Sequence, residues 1–419
     1  MSKEFDSDIR DPEPPIIYPW KVINMNTDYC GQWLVGGDLD GDREIEFVAA
    51  RNHDQIVTAL SAYKLDGTLM WTWGKAGAGG TILTYDIPVQ IHDINGDGKN
   101  EVLLSEEGDL VILDGYSGKE IVRYPLPEGL NVADCITFAD ISGHGRYSDI
   151  IIKTRYTKLW AYTNDWKELW NWTPSEYYTC HHPTPVDIDR DGKDEILAGY
   201  TMLDHDGSEM WTFKSNKVDL SKGHLDCCRV AEIGAKPKDF RFVVTCCGAG
   251  LIAMLDGLGN VVWEIEGHHF ESPDVASISP NHKGKQIYVD IDHHTYGDFM
   301  GWLINFNGEL IGKFMMNYSR HHRLVDWNGD GLYEIVLANA LAICDGTGKR
   351  VASFDLNGKA EDVRADKKAG DPGPLVSILD ATGSGAGDVI LHTDDMIFVY
   401  KNPSKQKAFI PDSVNFTLY

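Results

Sequence analysis

A nine-residue acidic segment recurs four times in this chain of 419 residues, and its spacing constrains the fold more than any other feature. The copies are residues 38–46, 93–101, 187–195 and 326–334, and each has oxygen-bearing side chains at positions 1, 3, 5 and 9. A short loop of this kind wraps a hard cation, so we predict Ca²⁺ at each copy. The predicted ligands are Asp38, Asp40, Asp42 and Glu46; Asp93, Asn95, Asp97 and Glu101; Asp187, Asp189, Asp191 and Glu195; and Asp326, Asn328, Asp330 and Glu334.

Weaker copies fill the gaps between these segments. Residues 140–149 and 380–388 keep part of the acidic pattern, and segments near 232 and 277 occupy the same place without the ligands. The loops therefore begin near 38, 93, 140, 187, 232, 277, 326 and 380. Intervals of roughly 45 to 55 residues are close to the length of a four-stranded propeller blade.

Each repeat has the pattern of a four-stranded meander. An apolar strand leads into the acidic segment, a second strand follows it, and a third ends at a two-residue turn such as Asp66-Gly67 or Asp256-Gly257. A fourth strand carries an aromatic residue such as Trp71 or Trp211. We predict an all-β chain that forms one eight-bladed β-propeller over residues 1–419, with repeats starting near 30, 85, 130, 180, 224, 268, 318 and 372. Seven blades are the alternative, and residues 15–25 are expected to supply a closing strand to the last blade.

Composition narrows the class of partner. The net charge of -26 argues against a nucleic-acid backbone, while 42% apolar residues are enough for a buried core. No apolar run of about 18 residues is present, so we expect no membrane span. The polar N-terminal residues do not resemble a signal peptide. We expect a cytoplasmic protein, or a secreted one whose export signal is absent from this sequence.

The histidines concentrate on one predicted face. In a four-stranded meander, residues just before the first strand and just after the second lie on the face opposite the acidic loops, and the first strand lines the central funnel. Imidazoles, arginines and tyrosines gathered there favour an anionic, polyhydroxylated ligand. Eleven of the 15 histidines fall in these segments, namely His53, His181, His182, His224, His268, His269, His293, His294, His321, His322 and His392. They are joined by Arg51, Arg155, Tyr156, Tyr200, Tyr296, Tyr318 and Arg320.

Three segments resemble a known group of enzymes. Residues 182–195, with the sequence HPTPVDIDRDGKDE, resemble the repeat of propeller polysaccharide lyases that cut beside rhamnose, and residues 51–57 and 318–326 add to the likeness. That group contains rhamnogalacturonan lyases, ulvan lyases and L-rhamnose-α-1,4-D-glucuronate lyases. The resemblance implies β-elimination at a rhamnose–uronic acid linkage in an acidic rhamnose-containing glycan. It covers most of the chain at the level of the repeat.

β-Elimination from a uronate needs a group that neutralises the carboxylate, a base at C5 and an acid for the leaving oxygen. The sequence leaves the assignment among the funnel residues open. The candidates are Arg51 or Arg320 for neutralisation, His182 or His224 as the base, and Tyr296, Tyr200 or another histidine as the acid. The expected substrate-binding residues are His53, His181, Tyr200, His269, His294 and His321.

Three other interpretations remain at this stage. A sugar-binding propeller of the FG-GAP type would use the same funnel without a base. A quinone-dependent propeller dehydrogenase is suggested by the tryptophan-rich fourth strands and by the adjacent Cys227 and Cys228, which could form a vicinal disulfide. A transition metal held by funnel histidines is the third interpretation.

Overall fold

Almost all of the regular structure is β-strand. The computed structural model describes residues 14–83, 85–291, 299–315, 322–358 and 373–404. Two short 3-10 helices, Leu220–Lys222 and Pro237–Asp239, interrupt the strands. Neither has the length or apolar character to cross a bilayer, and no other helix in the described ranges does.

The strands form eight antiparallel sheets of four consecutive or nearly consecutive strands, arranged in a ring. The prediction of an eight-bladed propeller is confirmed, and the seven-bladed alternative is wrong. Blades 1 to 4 consist of β3 (Trp33–Gly37), β4 (Glu46–His53), β5 (Ile56–Tyr63) and β6 (Leu69–Gly74); β7 (Val89–His92), β8 (Glu101–Glu106), β9 (Asp109–Asp114) and β10 (Glu120–Pro125); β11 (Ile136–Ala139), β12 (Asp149–Lys153), β13 (Leu159–Tyr162) and β14 (Glu168–Trp172); and β15 (Thr179–Val186), β16 (Glu195–Gly199), β17 (Thr201–Leu203) and β18 (Glu209–Thr212).

The second half of the ring repeats this plan and adds the N-terminal strands. Blades 5 to 8 consist of β19 (Leu225–Glu232), β20 (Arg241–Cys246), β21 (Leu251–Asp256) and β22 (Val261–Glu266); β23 (Phe270–Ala276), β24 (Gln286–Ile291), β25 (Phe299–Asn305) and β26 (Leu310–Met315); β27 (Arg323–Val325), β28 (Glu334–Leu337), β29 (Ala342–Cys344) and β30 (Arg350–Phe354); and β31 (Leu375–Leu379), β32 (Asp388–His392) and β33 (Met396–Tyr400), with β2 (Lys21–Asn24) as the fourth strand.

The N-terminal segment closes the ring. Strand β2 pairs antiparallel with β33, so the last blade combines both ends of the described chain, as the sequence predicts for residues 15–25. Strand β1 (Ile16–Ile17) pairs in parallel with β30 and adds a fifth strand to blade 7.

The first strand of each blade lies innermost. Neighbouring blades meet through these strands, for example β15 with β19 and β19 with β23. Because the strands alternate in direction, the acidic segments and the turns between third and fourth strands lie on one face, which we call the loop face. The connections between second and third strands, and those between blades, lie on the other, which we call the funnel face.

The core lies between the blades. The second strand of a blade is covered on both sides, so all five residues of β12 are buried, whereas the outer strand β10 alternates between half-buried and exposed residues. One apolar cluster joins blades 4 and 5 through Leu197, Phe213 and Phe242. The described buried residues form eight such clusters, each shared mainly by two neighbouring blades, so the core lies between blades rather than within single blades.

Tryptophans on the fourth strands link neighbouring blades on the loop face. In four blades the indole N–H donates to a backbone carbonyl at the turn between the third and fourth strands of the next blade. The repeated aromatic therefore fixes how one blade sits against the next. The pairs are Trp71 with Gly115 at 2.8 Å, Trp170 with His205 at 2.9 Å, Trp211 with Gly257 at 3.1 Å and Trp263 with Phe306 at 3.2 Å.

Candidate active site

A cavity of about 1010 Å³ runs along the axis of the ring. All eight first strands contribute to its wall, and polar residues stand at many of the lining positions. One lining residue from each blade, in chain order, is Val35, Gln90, Phe138, His182, Asp226, Asp274, Arg323 and Ser377.

Two histidines and an aspartate converge on the funnel face between blades 4 and 5. His181 Nε2 and His224 Nε2 are 3.0 Å apart, and they lie 3.3 Å and 3.2 Å from the same oxygen, Oδ1 of Asp226. The other carboxylate oxygen of Asp226 is buried and has no hydrogen-bond partner. We call these three residues the His-His-Asp cluster.

The cluster has the arrangement of a cation site. Two N–H groups aimed at one oxygen from nitrogens this close would repel each other, whereas a cation would accept both imidazoles and the carboxylate at once. Donor separations of 3.0 to 3.3 Å are near the edge of a tetrahedron with bonds of about 2.0 Å, as zinc forms with nitrogen. The three residues therefore fit a divalent metal with a preference for imidazole.

Burial and charge shift the protonation of this cluster. Burial lowers the pKa of His181, although Asp226 opposes the shift. Burial alone would raise the pKa of Asp226, but the two imidazoles hold it well below its usual range. At neutral pH, Asp226 is therefore a carboxylate, which is the state that binds a cation.

An aromatic and cationic wall stands beside the cluster. The ring of Tyr156 stacks on His224 with centroids 4.3 Å apart and meets His181 edge-on at 5.7 Å. The guanidinium of Arg155 lies 5.1 Å from the Tyr156 centroid and 3.9 Å from the Tyr85 centroid. Planar groups of this kind suit both the apolar face of a sugar ring and a carboxylate.

A buried ion pair holds this wall in place. Lys153 is fully buried and pairs with Asp134, which also accepts hydrogen bonds from Gln55 and, at 3.3 Å, from Arg155. Burial alone would raise the pKa of Asp134, but Lys153 and then Arg155 keep it below its usual range. Asp134 thus fixes one edge of the Arg155 guanidinium.

His182 points towards the axis rather than towards the cluster. Its Nε2 is 2.5 Å from Oδ2 of Asp86, which precedes β7 in blade 2, so the contact passes blade 3. An ionised carboxylate can only accept, so this hydrogen bond places the proton on Nε2 and leaves Nδ1 as the basic nitrogen. Nδ1 is buried and has no hydrogen-bond partner.

Several predicted funnel residues lie elsewhere. Arg51 donates to the carbonyls of Thr27, Ala78 and Gly79. Its guanidinium therefore binds the backbone of the neighbouring loops. The His53 side chain is 73% exposed on the same hairpin.

Tyr200 does not contribute to a binding surface. It is 1% exposed, donates to the carbonyl of Gly223 at 3.2 Å and packs between blades against Phe213. Burial raises its pKa far above the usual range, which disfavours proton release. The expectation that it contacts substrate is therefore wrong. His322 and His392 are also fully buried, and burial lowers their pKa values to about 4 and about 3.

Other predicted residues lie outside the described ranges. They are Tyr296, Arg320, His294 and His321, together with His293 and Tyr318. His269 is described and lies on the funnel face, where its Nε2 contacts the Cys247 sulfur.

The four acidic loops share one backbone arrangement on the loop face. The first aspartate accepts hydrogen bonds from the backbone N–H groups of positions 4 and 6, as Asp38 does from Gly41 at 2.7 Å and Arg43 at 3.0 Å. The glutamate at position 9 accepts from the N–H of position 2, as Glu195 does from Ile188 at 2.7 Å. The corresponding bonds in the other loops involve Asp93, Asp187 and Asp326, and Glu46, Glu101 and Glu334.

The loops differ at position 3. Where that residue is asparagine, its amide donates to the glutamate: Asn95 to Glu101 at 2.9 Å and Asn328 to Glu334 at 2.8 Å. Loop 187–195 has aspartate there instead, and Oε1 of Glu195 is buried without a partner. Carboxylate oxygens of Asp187, Asp189 and Glu195 all lie within 4.8 Å of one another, as do those of Asp38, Asp40 and Asp42. In the first loop Lys64 pairs with Asp40.

Burial also changes the titration of the four glutamates. It raises the pKa values of Glu46, Glu101, Glu195 and Glu334 to about 7, and the neighbouring aspartates add to the shift. The hydrogen bond from position 2 opposes it in each loop. The negative charge on these buried glutamate carboxylates is therefore unfavourable unless a cation or a proton neutralises it.

The model of rhamnogalacturonan lyase family 11, C-terminal domain, matches residues 151–395, which is more than half of the chain. The chain belongs to this family. The matched region contains the whole His-His-Asp cluster and the third and fourth acidic loops.

Two curated members are similar over most of the chain. The rhamnogalacturonan exolyase YesX of Bacillus subtilis is 25% identical over 375 residues, covering 72% of this chain. The rhamnogalacturonan endolyase YesW of the same organism is 26% identical over 376 residues, covering 73% of the chain. The chain spans 58% and 57% of the lengths of these two relatives.

Solved structures agree on the fold. A rhamnogalacturonan lyase of Bacillus licheniformis has a TM-score of 0.65 at 19% identity over 89% of this chain and 72% of that chain, and the structure of YesW has 0.65 at 20% over 93% and 76%. A biofilm matrix protein of V. cholerae, Bap1, has 0.60 at 12% identity over 94% and 92%. The propeller alone therefore does not identify an activity, and the family assignment rests on the sequence match.

Three carboxylates of the candidate site are not among the residues predicted from the sequence. Asp226 follows His224 by two residues on the first strand of blade 5, and a His-x-Asp pair at such a position is a readable signal. Asp86 and Asp134 precede the first strands of blades 2 and 3, where only histidine, arginine and tyrosine had been sought. The same register rule would have found both carboxylates.

Proposed function

We propose that this chain is a polysaccharide lyase that cleaves a rhamnose–uronate linkage by β-elimination in the funnel. The observation that carries the proposal is the convergence of His181, His224 and Asp226 beside Tyr156, in a member of rhamnogalacturonan lyase family 11. A pectin-type, acidic and rhamnose-containing glycan is the proposed substrate.

The reaction needs an acidified C5–H. Removing this proton from a uronate places negative charge on the carboxylate, so a positive group beside the carboxylate lowers the barrier. A base then takes the C5 proton, and an acid protonates the oxygen that leaves C4. The electron pair of the C5–H bond forms the C4=C5 double bond as the C4–O bond breaks.

We assign carboxylate binding to the side of the funnel that holds the His-His-Asp cluster and Arg155. A divalent cation bound there by His181, His224 and Asp226 would supply positive charge to the carboxylate. Arg155 stands on the same wall, beyond Tyr156, and Asp134 fixes the orientation of its guanidinium. Arg51 is a poorer candidate because it donates to three backbone carbonyls.

We assign the base to His182. It lines the cavity, and its bond to Asp86 selects the tautomer in which Nδ1 can take a proton. Nδ1 is buried in the free protein, so this role requires the imidazole to turn towards the bound glycan. Asp86 would then stabilise the imidazolium that forms. His224 is less suited, because its Nε2 belongs to the cluster.

We assign the acid to Tyr156. Its ring is fixed by His224 and His181, and its half-buried position on the funnel face lets the hydroxyl reach a bound glycan. Burial raises the pKa of Tyr156, so the hydroxyl keeps its proton until the leaving oxygen develops charge.

We further propose that Ca²⁺ binds the acidic loops with a structural role. The loops face away from the funnel, and their carboxylates cluster most closely at Asp38, Asp40 and Asp42 and at Asp187, Asp189 and Glu195. Neutralising these carboxylates would hold the loop-face ends of the first and second strands.

The direct test is elimination on defined glycans. Purified protein is incubated with rhamnogalacturonan and with rhamnose–glucuronate oligosaccharides while ultraviolet absorbance of the conjugated C4=C5 uronate is followed. Mass spectrometry then separates elimination products from hydrolysis products, which gain water. Binding without either product would support a sugar-binding propeller instead, and products that gain water would indicate a hydrolase.

A further inference from the structure

One cysteine differs from the other seven in its surroundings. Cys247 is half-buried, whereas the remaining cysteines are buried in the core. Burial raises the pKa values of Cys30, Cys135, Cys227, Cys228 and Cys344 to about 12, and raises those of Cys180 and Cys246 further. Seven thiols are thus both hidden and hard to ionise.

Cys247 lies on the funnel face, directly after β20 of blade 5. Its sulfur is 2.7 Å from Nε2 of His269, which immediately precedes β23 of blade 6. The same nitrogen is 3.4 Å from Oε1 of Glu271, which is 3% exposed. One imidazole nitrogen therefore lies beside both a sulfur and a buried carboxylate, which is the contact through which a histidine can take the proton of a thiol.

The backbone holds the thiol in this position. The turn after Cys247 is closed by hydrogen bonds from Ala249 to the Cys247 carbonyl at 2.6 Å and from Gly250 to the Cys246 carbonyl at 3.0 Å. Gly223 packs closely against the Cys247 carbonyl. A Cβ added to Gly223 would lie 1.7 Å from the Cys247 oxygen. The backbone of Cys247 is therefore fixed by its own turn and by the segment that precedes β19.

We propose that Cys247 and His269 form a nucleophilic thiol site at the funnel, which takes small soft carbon electrophiles. The sulfur attacks the electrophilic carbon and forms a C–S bond, while His269 Nε2 takes the thiol proton. With iodoacetamide, the C–I bond breaks and iodide leaves. The inference concerns this pair alone and does not depend on the lyase reaction.

The test is the rate of alkylation in the folded protein. Full-length protein is treated with iodoacetamide at neutral pH, and adducts are located by intact mass and peptide mapping over time. We expect a first adduct on Cys247, formed about tenfold or more faster than on the other seven cysteines or on Cys247 in denatured protein. His269→Asn should slow this step about tenfold, whereas His144→Asn, on an exposed loop of the opposite face, should not.

The pH profile separates activation from a merely structural contact. In the wild type, alkylation of Cys247 should persist at lower pH than in His269→Asn, which should follow an ordinary thiol. His269→Gln, checked by circular dichroism, repeats the test if the asparagine variant does not fold. The proposal is overturned if Cys247 is alkylated no faster in the folded protein than in the denatured protein. It is also overturned if His269→Asn and His269→Gln both leave the alkylation rate unchanged. Labelling that begins only after a chelator is added would overturn it too, because the sulfur would then be a metal ligand.

Discussion

Asp86 accepts a 2.5 Å hydrogen bond from Nε2 of His182 across the width of blade 3. The two residues are separated by 96 positions in the chain, and each stands just before or within the first strand of its own blade. The pair therefore forms only when blades 2 to 4 are assembled. It fixes the tautomer of an imidazole that lines the central cavity, which is the arrangement expected for an oriented base.

The first prediction concerns this pair. His182→Gln should lower kcat by about 10²–10⁴ on a glycan that the protein cleaves, because a general base is lost. Asp86→Asn should lower kcat less and leave KM nearly unchanged, since it disturbs orientation rather than removing the base. His144→Asn is the matched control on the loop face. If His182→Gln keeps full activity and the fold is intact, the base must be another residue.

Sequence reasoning reached the face of the molecule but not the contacts within it. The alternation of strand direction places His181, His182 and His224 on the funnel face, and the structure puts them there. Which of them meet depends on the angle between blades and on side-chain direction. His181 therefore turns to blade 5 and His182 to the axis, although the two residues are adjacent.

Side-chain contacts that the repeat does not specify also explain why the predictions for Tyr200 and Arg51 differ from the structure. Tyr200 directly follows β16, and its ring packs against Phe213 in the core between blades. Arg51 lies on the correct face, but a long loop of blade 1 supplies carbonyls that bind its guanidinium. The repeat pattern carries no information about either contact. By contrast, the eight regularly spaced loops indicate eight blades, and the structure confirms this number over the seven-bladed alternative.

The second prediction concerns pH and Ca²⁺. In chelator, the folded protein keeps protons on Glu46, Glu101, Glu195 and Glu334 up to about pH 7, whereas an unfolded chain loses them near 4.5, the ordinary pKa of a glutamate. The folded state therefore binds more protons between these values, and stability should fall as pH rises through this window.

Bound Ca²⁺ should reverse that trend by replacing the protons. A site with free Ca²⁺ at 100 times its Kd gains about 2.7 kcal/mol, so the melting temperature should rise most at pH 7 and above. The measurement is a set of thermal melts from pH 4.5 to 8 with chelator and with Ca²⁺. Identical curves under both conditions would exclude Ca²⁺ from the loops.

The third prediction exploits the difference at position 3 of the loops. In Asp189→Asn, the new amide can donate to Glu195 as Asn95 does to Glu101. The bond should contribute about 0.5–1.5 kcal/mol in chelator, while the loss of one carboxylate weakens the response to Ca²⁺. Asp54→Asn removes the same charge from an exposed hairpin and serves as the control. An unchanged Ca²⁺ response in Asp189→Asn would show that the Asp189 carboxylate is not needed to bind the ion.

The last prediction concerns the contact between blades 4 and 5 on the loop face. Trp211 donates to the Gly257 carbonyl at 3.1 Å, and its ring covers Gly259, where an added Cβ would lie 2.6 Å from ring atoms. Trp211→Phe should therefore cost about 1 kcal/mol for the lost hydrogen bond. Gly259→Ala should cost about 1–3 kcal/mol, because it combines a clash with a backbone φ of 79° that alanine rarely adopts.

The two changes should not be additive, because they act on one contact. Urea unfolding of both single variants and of the double variant gives the coupling free energy, which we expect to be about 0.5 kcal/mol or more. Gly98→Ala provides the comparison, because its φ of 86° carries the same backbone strain with no atoms within 4 Å of the added Cβ. If Gly259→Ala destabilises no more than Gly98→Ala, the tryptophan contact does not hold the blades together. In that case the apolar cluster that contains Leu197, Phe213 and Phe242 holds blades 4 and 5 together without help from this tryptophan.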